Sequence, residues 1–207
     1  MSRLARFALV VAGLLVAVLV AIQLFVPGQA ASDVESRLTE GGGEADVEIE
    51  ALPAVRLLWG DGDRIEVRGS DLVLDVENDT NVLDRLDGFD QVDVSLAGIE
   101  AGPFEVGSFE LRRQGGGAYT LRSEATTSGT DLLDFGADNL GPIGGPIAGF
   151  LSDQAPEQAS EEFDVQLDAQ LESDDGQIRI VEGGGSVEGY EVGPLAEIIT
   201  VAVVSRL

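Results

Sequence analysis

The strongest constraint on this chain lies at its start. Leu4–Val26 is a 23-residue apolar run with Arg3 and Arg6 at its beginning, and beyond those arginines its one polar side chain is Gln23. As a helix it reaches about 35 Å, enough to cross a hydrocarbon core of about 30 Å. The two arginines predict a single pass through the cytoplasmic membrane via residues 4–26, with the N-terminus inside and everything after Pro27 outside the cytoplasm. Residues 1–30 therefore read as a membrane anchor or signal segment, and residues 31–207 as one exported domain. Cleavage is the alternative: Gly28-Gln29-Ala30 is a small-x-small site before Ala31, although the apolar run exceeds the usual signal core. No cysteine occurs, so a lipid-modified N-terminal cysteine is excluded.

Charge narrows the partners. The exported part holds all 38 acids and 10 of the 12 basic residues, a net −28, and every base is arginine. Such a field repels nucleic acid, whose binding rests on phosphate neutralisation, and opposes broad docking on an anionic membrane surface. About 177 residues can bury a real core, but without cysteine no disulfide supports it and packing must.

Along the exported part the hydrophobic period changes repeatedly. Ala31–Glu40 predicts a first helix, with Val34 and Leu38 on one face, Ser32 as cap and Glu35 completing a capping box. Gly41-Gly42-Gly43 stops it. Alternation then predicts strands around Val47–Ala51, Ile65–Val67, Leu72–Val76, Val92–Leu96, Phe104–Leu111, Tyr119–Leu121 and Phe163–Leu171, with Asp175-Gly176 as a hairpin turn into Ile178 and Ile180. Val82, Leu83, Leu86 and Phe89 share a face of a short helix. At the end Leu195, Ile198, Ile199, Ala202 and Val203 follow helical spacing although several are β-branched. The fold class is α+β: an N-terminal transmembrane helix, then a long twisted sheet of roughly eight strands wrapped around helices. The sheet is expected to be mostly antiparallel, because the strand links are too short for crossovers.

Catalytic signatures are missing. With no His, Cys or Lys, histidine- or lysine-assisted nucleophilic catalysis and the usual zinc sites fail, so no catalytic residue, metal or cofactor is assigned. Asp61-Gly62-Asp63 and Glu172–Gly176 look like calcium loops, but in the second the first ligand place falls on Leu171, and turns fit better. The glycine triplets at 41–43, 115–117 and 183–185 lack the lysine and spacing of phosphate loops. Asn78-Asp79-Thr80 is a glycosylation acceptor only in a host with that machinery.

The stretch Pro53-Ala54-Val55-Arg56-Leu57-Leu58-Trp59-Gly60-Asp61-Gly62-Asp63-Arg64-Ile65-Glu66-Val67, and the strand Val92–Gly98, resemble the LmeA-type phospholipid-binding family of bacterial cell-envelope proteins. The places are held here by Pro53, Leu57, Leu58, Gly60, Ile65 and Val67. What the resemblance implies is a non-enzymatic, extracytoplasmic lipid-binding domain with a fold similar to tubular lipid-binding proteins. The implied partner is a phospholipid or glycolipid, in support of envelope lipid maturation. Candidate lipid-lining residues are Leu57, Leu58, Trp59 and Phe104; for the first three the default reading is core, since most buried apolar residues only pack. A Gly/Pro-rich, weakly charged stretch adds Ile143, Ile147, Phe150 and Leu151, which could touch a bilayer, gate a groove or form a buried connection. Arg56 and Arg64 are candidate phosphate contacts, with surface ion pairs as the alternative. The other function class left open is a structural or protein-interaction module of the envelope, with no lipid ligand and an unknown protein partner.

Overall fold

The computed structural model describes residues 3–74, 81–131, 162–187, 190–191 and 195–206. Helix α1 (Arg3–Leu38) is one continuous rod with Pro27 inside it. The expectation of a separate, capped helix starting at Ala31 is corrected. Ser32 lies within the helix and its carbonyl accepts from the Ser36 hydroxyl at 2.8 Å. Glu35 caps nothing; its Oε1 accepts the Val47 N–H at 3.1 Å and so occupies a rung on the outer edge of the first strand. Pro27 removes the hydrogen bond that its missing N–H would give to the Gln23 carbonyl, and its ring crowds that carbonyl. The helix is long and apolar enough to cross a membrane, and the domain buries almost none of that apolar window.

The strands are β1 (Glu44–Glu50), β2 (Gly62–Ser70), β3 (Val73–Leu74), β4 (Phe89–Ala101), β5 (Phe104–Gln114), β6 (Tyr119–Ser128), β7 (Glu162–Asp174), β8 (Gln177–Val187) and β9 (Tyr190–Glu191). They form one mixed sheet in the order β1-β2-β4-β5-β6-β7-β8-β9, and β3 pairs with β4 beyond the end of β2. Most neighbours are antiparallel, but β2 and β4 run parallel. That pair corrects the expectation that every link is too short for a crossover. Strand β3 and helix α2 (Asp84–Asp87) lie between β2 and β4 in the chain. Asp175 and Gly176 both have positive φ, 52° and 81°, as a two-residue hairpin turn requires.

One face of the sheet is apolar. Val67, Val94, Leu96, Phe109, Leu111, Leu121, Val165 and Leu167 join Val34 and Leu38 of α1, Leu83 and Leu86 beside or in α2, and Ile199 and Val203 of helix α3 (Leu195–Val204) in a single cluster. The helices therefore lie on that face. The alternation flips along one transverse line. Leu96 and Ile99 both point inward around Gly98 (φ 62°), and Phe109 and Val106 do so around the facing Gly107. Asp71 (φ 56°) makes the same flip between Val67 and Leu72. The β4–β5 register continues one-to-one through this line, while Gly107 sits at a bulge of β5 against β6, and the apolar side stays covered on both sides of it.

Candidate membrane-proximal site

Between β1 and β2 the chain leaves the sheet. Pro53 (φ −76°) opens a 3₁₀ helix, Ala54–Trp59, and Gly60 closes it in the left-handed region at φ 80°. The Gly60 N–H donates to the Leu57 carbonyl at 3.1 Å and the Asp61 N–H to that of Arg56 at 3.2 Å. A side chain at Gly60 would be strained by this backbone, which explains the glycine that closes the apolar run. Asp63 anchors the loop's base. Its Oδ2 accepts the Leu52 N–H at 2.6 Å and its Oδ1 pairs with Arg56 at 2.7 Å.

The loop is held against α1 by one side chain. Gln23 Nε2 donates to the Ala51 carbonyl at 2.9 Å, and the Ala54 N–H donates to Gln23 Oε1 at 2.8 Å. Both halves of the amide are thus matched to backbone, which a lone polar group in an apolar helix needs. Ala51 and Ala54 are buried and Leu57 packs half-buried on the core, whereas Leu52, Leu58 and Trp59 are 74%, 65% and 72% exposed. Leu24 and Phe25, next along α1 from Gln23, are exposed too.

The other expected residues scatter. Phe104 is buried at the start of β5, within the core and apart from this loop. Arg64 pairs with Glu66, which also pairs with Arg68, so both candidate phosphate contacts, Arg56 and Arg64, are engaged by carboxylates. Ile143, Ile147, Phe150 and Leu151 lie outside the described residues, as does Asn78. On the outward face, open grooves of about 800 and 610 Å³ are lined by polar and acidic groups such as Glu110, Glu124, Gln166, Asp168 and Asp164. Among the described residues no group of three or more acids could hold a metal ion.

Sequence reasoning missed a buried polar cluster at the α2 end of the sheet. Arg113 is 6% exposed and pairs with Asp87 at 3.0 Å. It also donates to the carbonyls of Leu86 (2.9 Å), Asp87 (3.0 Å) and Phe89, and its guanidinium stacks 4.6 Å from the Tyr119 ring centre. Asp87 accepts in addition from the Tyr119 hydroxyl at 2.8 Å and from Ser173. Burial pushes the Tyr119 phenol well above its ordinary pKa; the Arg113 charge pulls it back, and the bond to Asp87 adds to the rise. The signal was present: Arg113 continues the inward parity of Phe109 and Leu111, and an inward arginine requires a carboxylate partner. The cluster ties α2 to β4, β5, β6 and β7.

The fold and loop together define a class: an α+β protein whose candidate membrane helix runs unbroken into its core. No protein-family model, curated protein or solved structure matches the chain.

Proposed function

We propose that the chain is a membrane-tethered, non-enzymatic domain outside the cytoplasm that binds phospholipid or a related envelope lipid. The observation that carries this reading is the continuity of α1. Almost none of its described apolar window is buried, while Ala31, Val34 and Leu38 at its other end are core residues. A 36-residue helix is about 54 Å long; a crossing of about 30 Å by Phe7–Val26 leaves residues 27–38, about 18 Å, to hold the domain at the bilayer. Cleavage after Ala30 would cut a continuous helix and remove the Gln23 clamp, so an uncleaved anchor fits this arrangement better. Arg3 and Arg6 at the start of the apolar run support an N-terminus on the inner side.

Lipid is the favoured ligand because the loop at the helix exposes Leu52, Leu58 and Trp59 and carries no acid in Ala51–Gly60, in a domain of net −28. The LmeA-type resemblance lies on the same stretch, and a sheet with helices on its apolar face is compatible with a tubular lipid-binding-like fold. A scaffold reading has its own support: Phe104, Phe109, Leu111, Tyr119 and Leu121 are almost fully buried in one packed cluster. Native mass spectrometry of the full chain, released from membranes in mild detergent, separates the two. Stoichiometric phospholipid retained after detergent exchange is expected; a chain that stays lipid-free when offered phospholipid, and retains a protein partner instead, would establish the scaffold.

A further inference from the structure

We infer that the loop Ala51–Gly60 is an interfacial element that rests in the outer leaflet of the bilayer α1 crosses, with Leu52, Leu58 and Trp59 at the boundary between headgroups and acyl chains. The inference rests on α1 being a membrane span, as proposed above, and is independent of whether the domain takes up a lipid ligand.

Three observations fix the level. The uncharged run after Arg6, Phe7–Val26, is 20 residues, or about 30 Å of helix, and matches a hydrocarbon core end to end. Gln23 stands three residues before its outer end, about 5 Å from the boundary. The loop is bonded to the helix at that residue, through Ala51 and Ala54. An unpaired amide at this depth would be costly in lipid, and the clamp removes that cost by bringing backbone partners down to it. A loop pinned there cannot stand clear of the headgroups.

Its chemistry suits the place. Leu52, Leu58 and Trp59 are exposed beside the exposed Leu24 and Phe25 of the helix, and tryptophan favours the membrane–water interface. The one charge in the loop, Arg56, is paired with Asp63 at its base. An otherwise acidic domain would be repelled by an anionic leaflet, so a contact segment free of acids is what close approach requires.

Trp59 is the only tryptophan in the chain and reports its own depth. The full chain is reconstituted in phosphatidylcholine–phosphatidylglycerol vesicles whose lipids carry nitroxide quenchers at shallow or deep acyl positions. Quenching by the shallow label is expected to exceed that by the deep label at least about twofold, with iodide quenching reduced several-fold relative to the urea-unfolded chain. In Gln23→Ala the lipid quenching falls and iodide access rises. In Leu52→Ser with Leu58→Ser the same shift occurs while Gln23 and the probe stay in place, with circular dichroism confirming the fold. Trp59 quenched freely by iodide and by neither lipid label would overturn the inference, even if phospholipid co-purifies. Protection that disappears on dilution at higher lipid-to-protein ratio would overturn it in favour of a contact between copies. Shallow lipid quenching in a chain that retains no phospholipid would leave the inference standing and refute the lipid-ligand reading alone.

Discussion

Replacing Asp87 by alanine tests whether the buried cluster at the α2 end holds the crossover to the sheet. The substitution removes the acceptor of three donors at once: Arg113, Tyr119 and Ser173. It leaves a guanidinium that is 6% exposed without its counter-charge, though still bonded to the carbonyls of Leu86, Asp87 and Phe89. Breaking a buried pair by removing one partner costs about 3–5 kcal/mol. Asp87 itself is 31% exposed, so water can reach the vacated position, and the loss belongs at the lower end, about 3 kcal/mol. That is a large share of a domain stability of about 5–15 kcal/mol. Urea unfolding of the detergent-solubilised full chain, followed by far-ultraviolet circular dichroism, measures it; Trp59 emission would report the loop instead. Asp87→Ala combined with Arg113→Met removes the stranded charge, and its cost should fall short of the sum of the singles by at least about 1 kcal/mol. A loss below about 1 kcal/mol for Asp87→Ala, the level of an exposed ion pair, or strict additivity in the cycle, would refute the reasoning.

Two further outcomes follow from the same structure. Because the Tyr119 phenol titrates above its unfolded value of about 10, the folded state holds its proton longer; stability is unaffected below that pH and falls above it by up to about 1.4 kcal/mol per pH unit. Tyr119→Phe should flatten this alkaline slope in urea midpoints taken between neutral pH and pH about 11, at a neutral-pH cost of about 1 kcal/mol for the lost bond to Asp87. Gly183 (φ 76°) would place a Cβ 2.1 Å from the Asp168 carbonyl oxygen across the ladder, whereas Gly116 (φ 68°) faces open space. Gly183→Ala should therefore cost about 2–3 kcal/mol and Gly116→Ala about 1 kcal/mol in the same assay, and equal losses would show that backbone strain alone governs both.

Much of the fold was legible because its signals are local. Period-two alternation located β4, β5 and β7, and Asp175-Gly176 located the turn from β7 to β8. At the C-terminus helical spacing outweighed β-branching, since Ile199 and Val203 stand four apart and are both buried. The failures share a physical cause, which is that a partner distant in sequence changed what a local pattern meant. Ser32 and Glu35 have the spacing of a capping box, but a helix already under way needs no N-cap, and Glu35 found an edge N–H on β1 instead. β2 and β4 pair in parallel, and hydrophobic alternation carries no information about strand direction. Period two also loses its phase at Gly98 and Gly107, so an inward residue on one side of the bend predicts an outward one on the other.

Gln23 shows the limit most clearly. Read alone it is a tolerated flaw in an apolar helix, because one amide does not prevent 20 uncharged residues from spanning a bilayer. Its meaning depends on Ala51 and Ala54, 28 and 31 residues away, whose backbone groups it matches in both donor and acceptor. Pro27 sharpens the position, since its missing N–H leaves the Gln23 carbonyl without its helical donor on the same turn. The same loop residues then divide by what lies beneath them: Ala51 and Ala54 are small enough to let the strand exit press against α1, and Leu52, Leu58 and Trp59 are left outward because the helix already fills the inner side. On the interfacial reading proposed above, apolar side chains left outward beside α1 would have their partner in the bilayer, which no intrachain pattern can encode. For that reason Leu58 and Trp59 could be singled out from sequence, while Leu52 and Gln23, the second of which holds the loop to α1, could not.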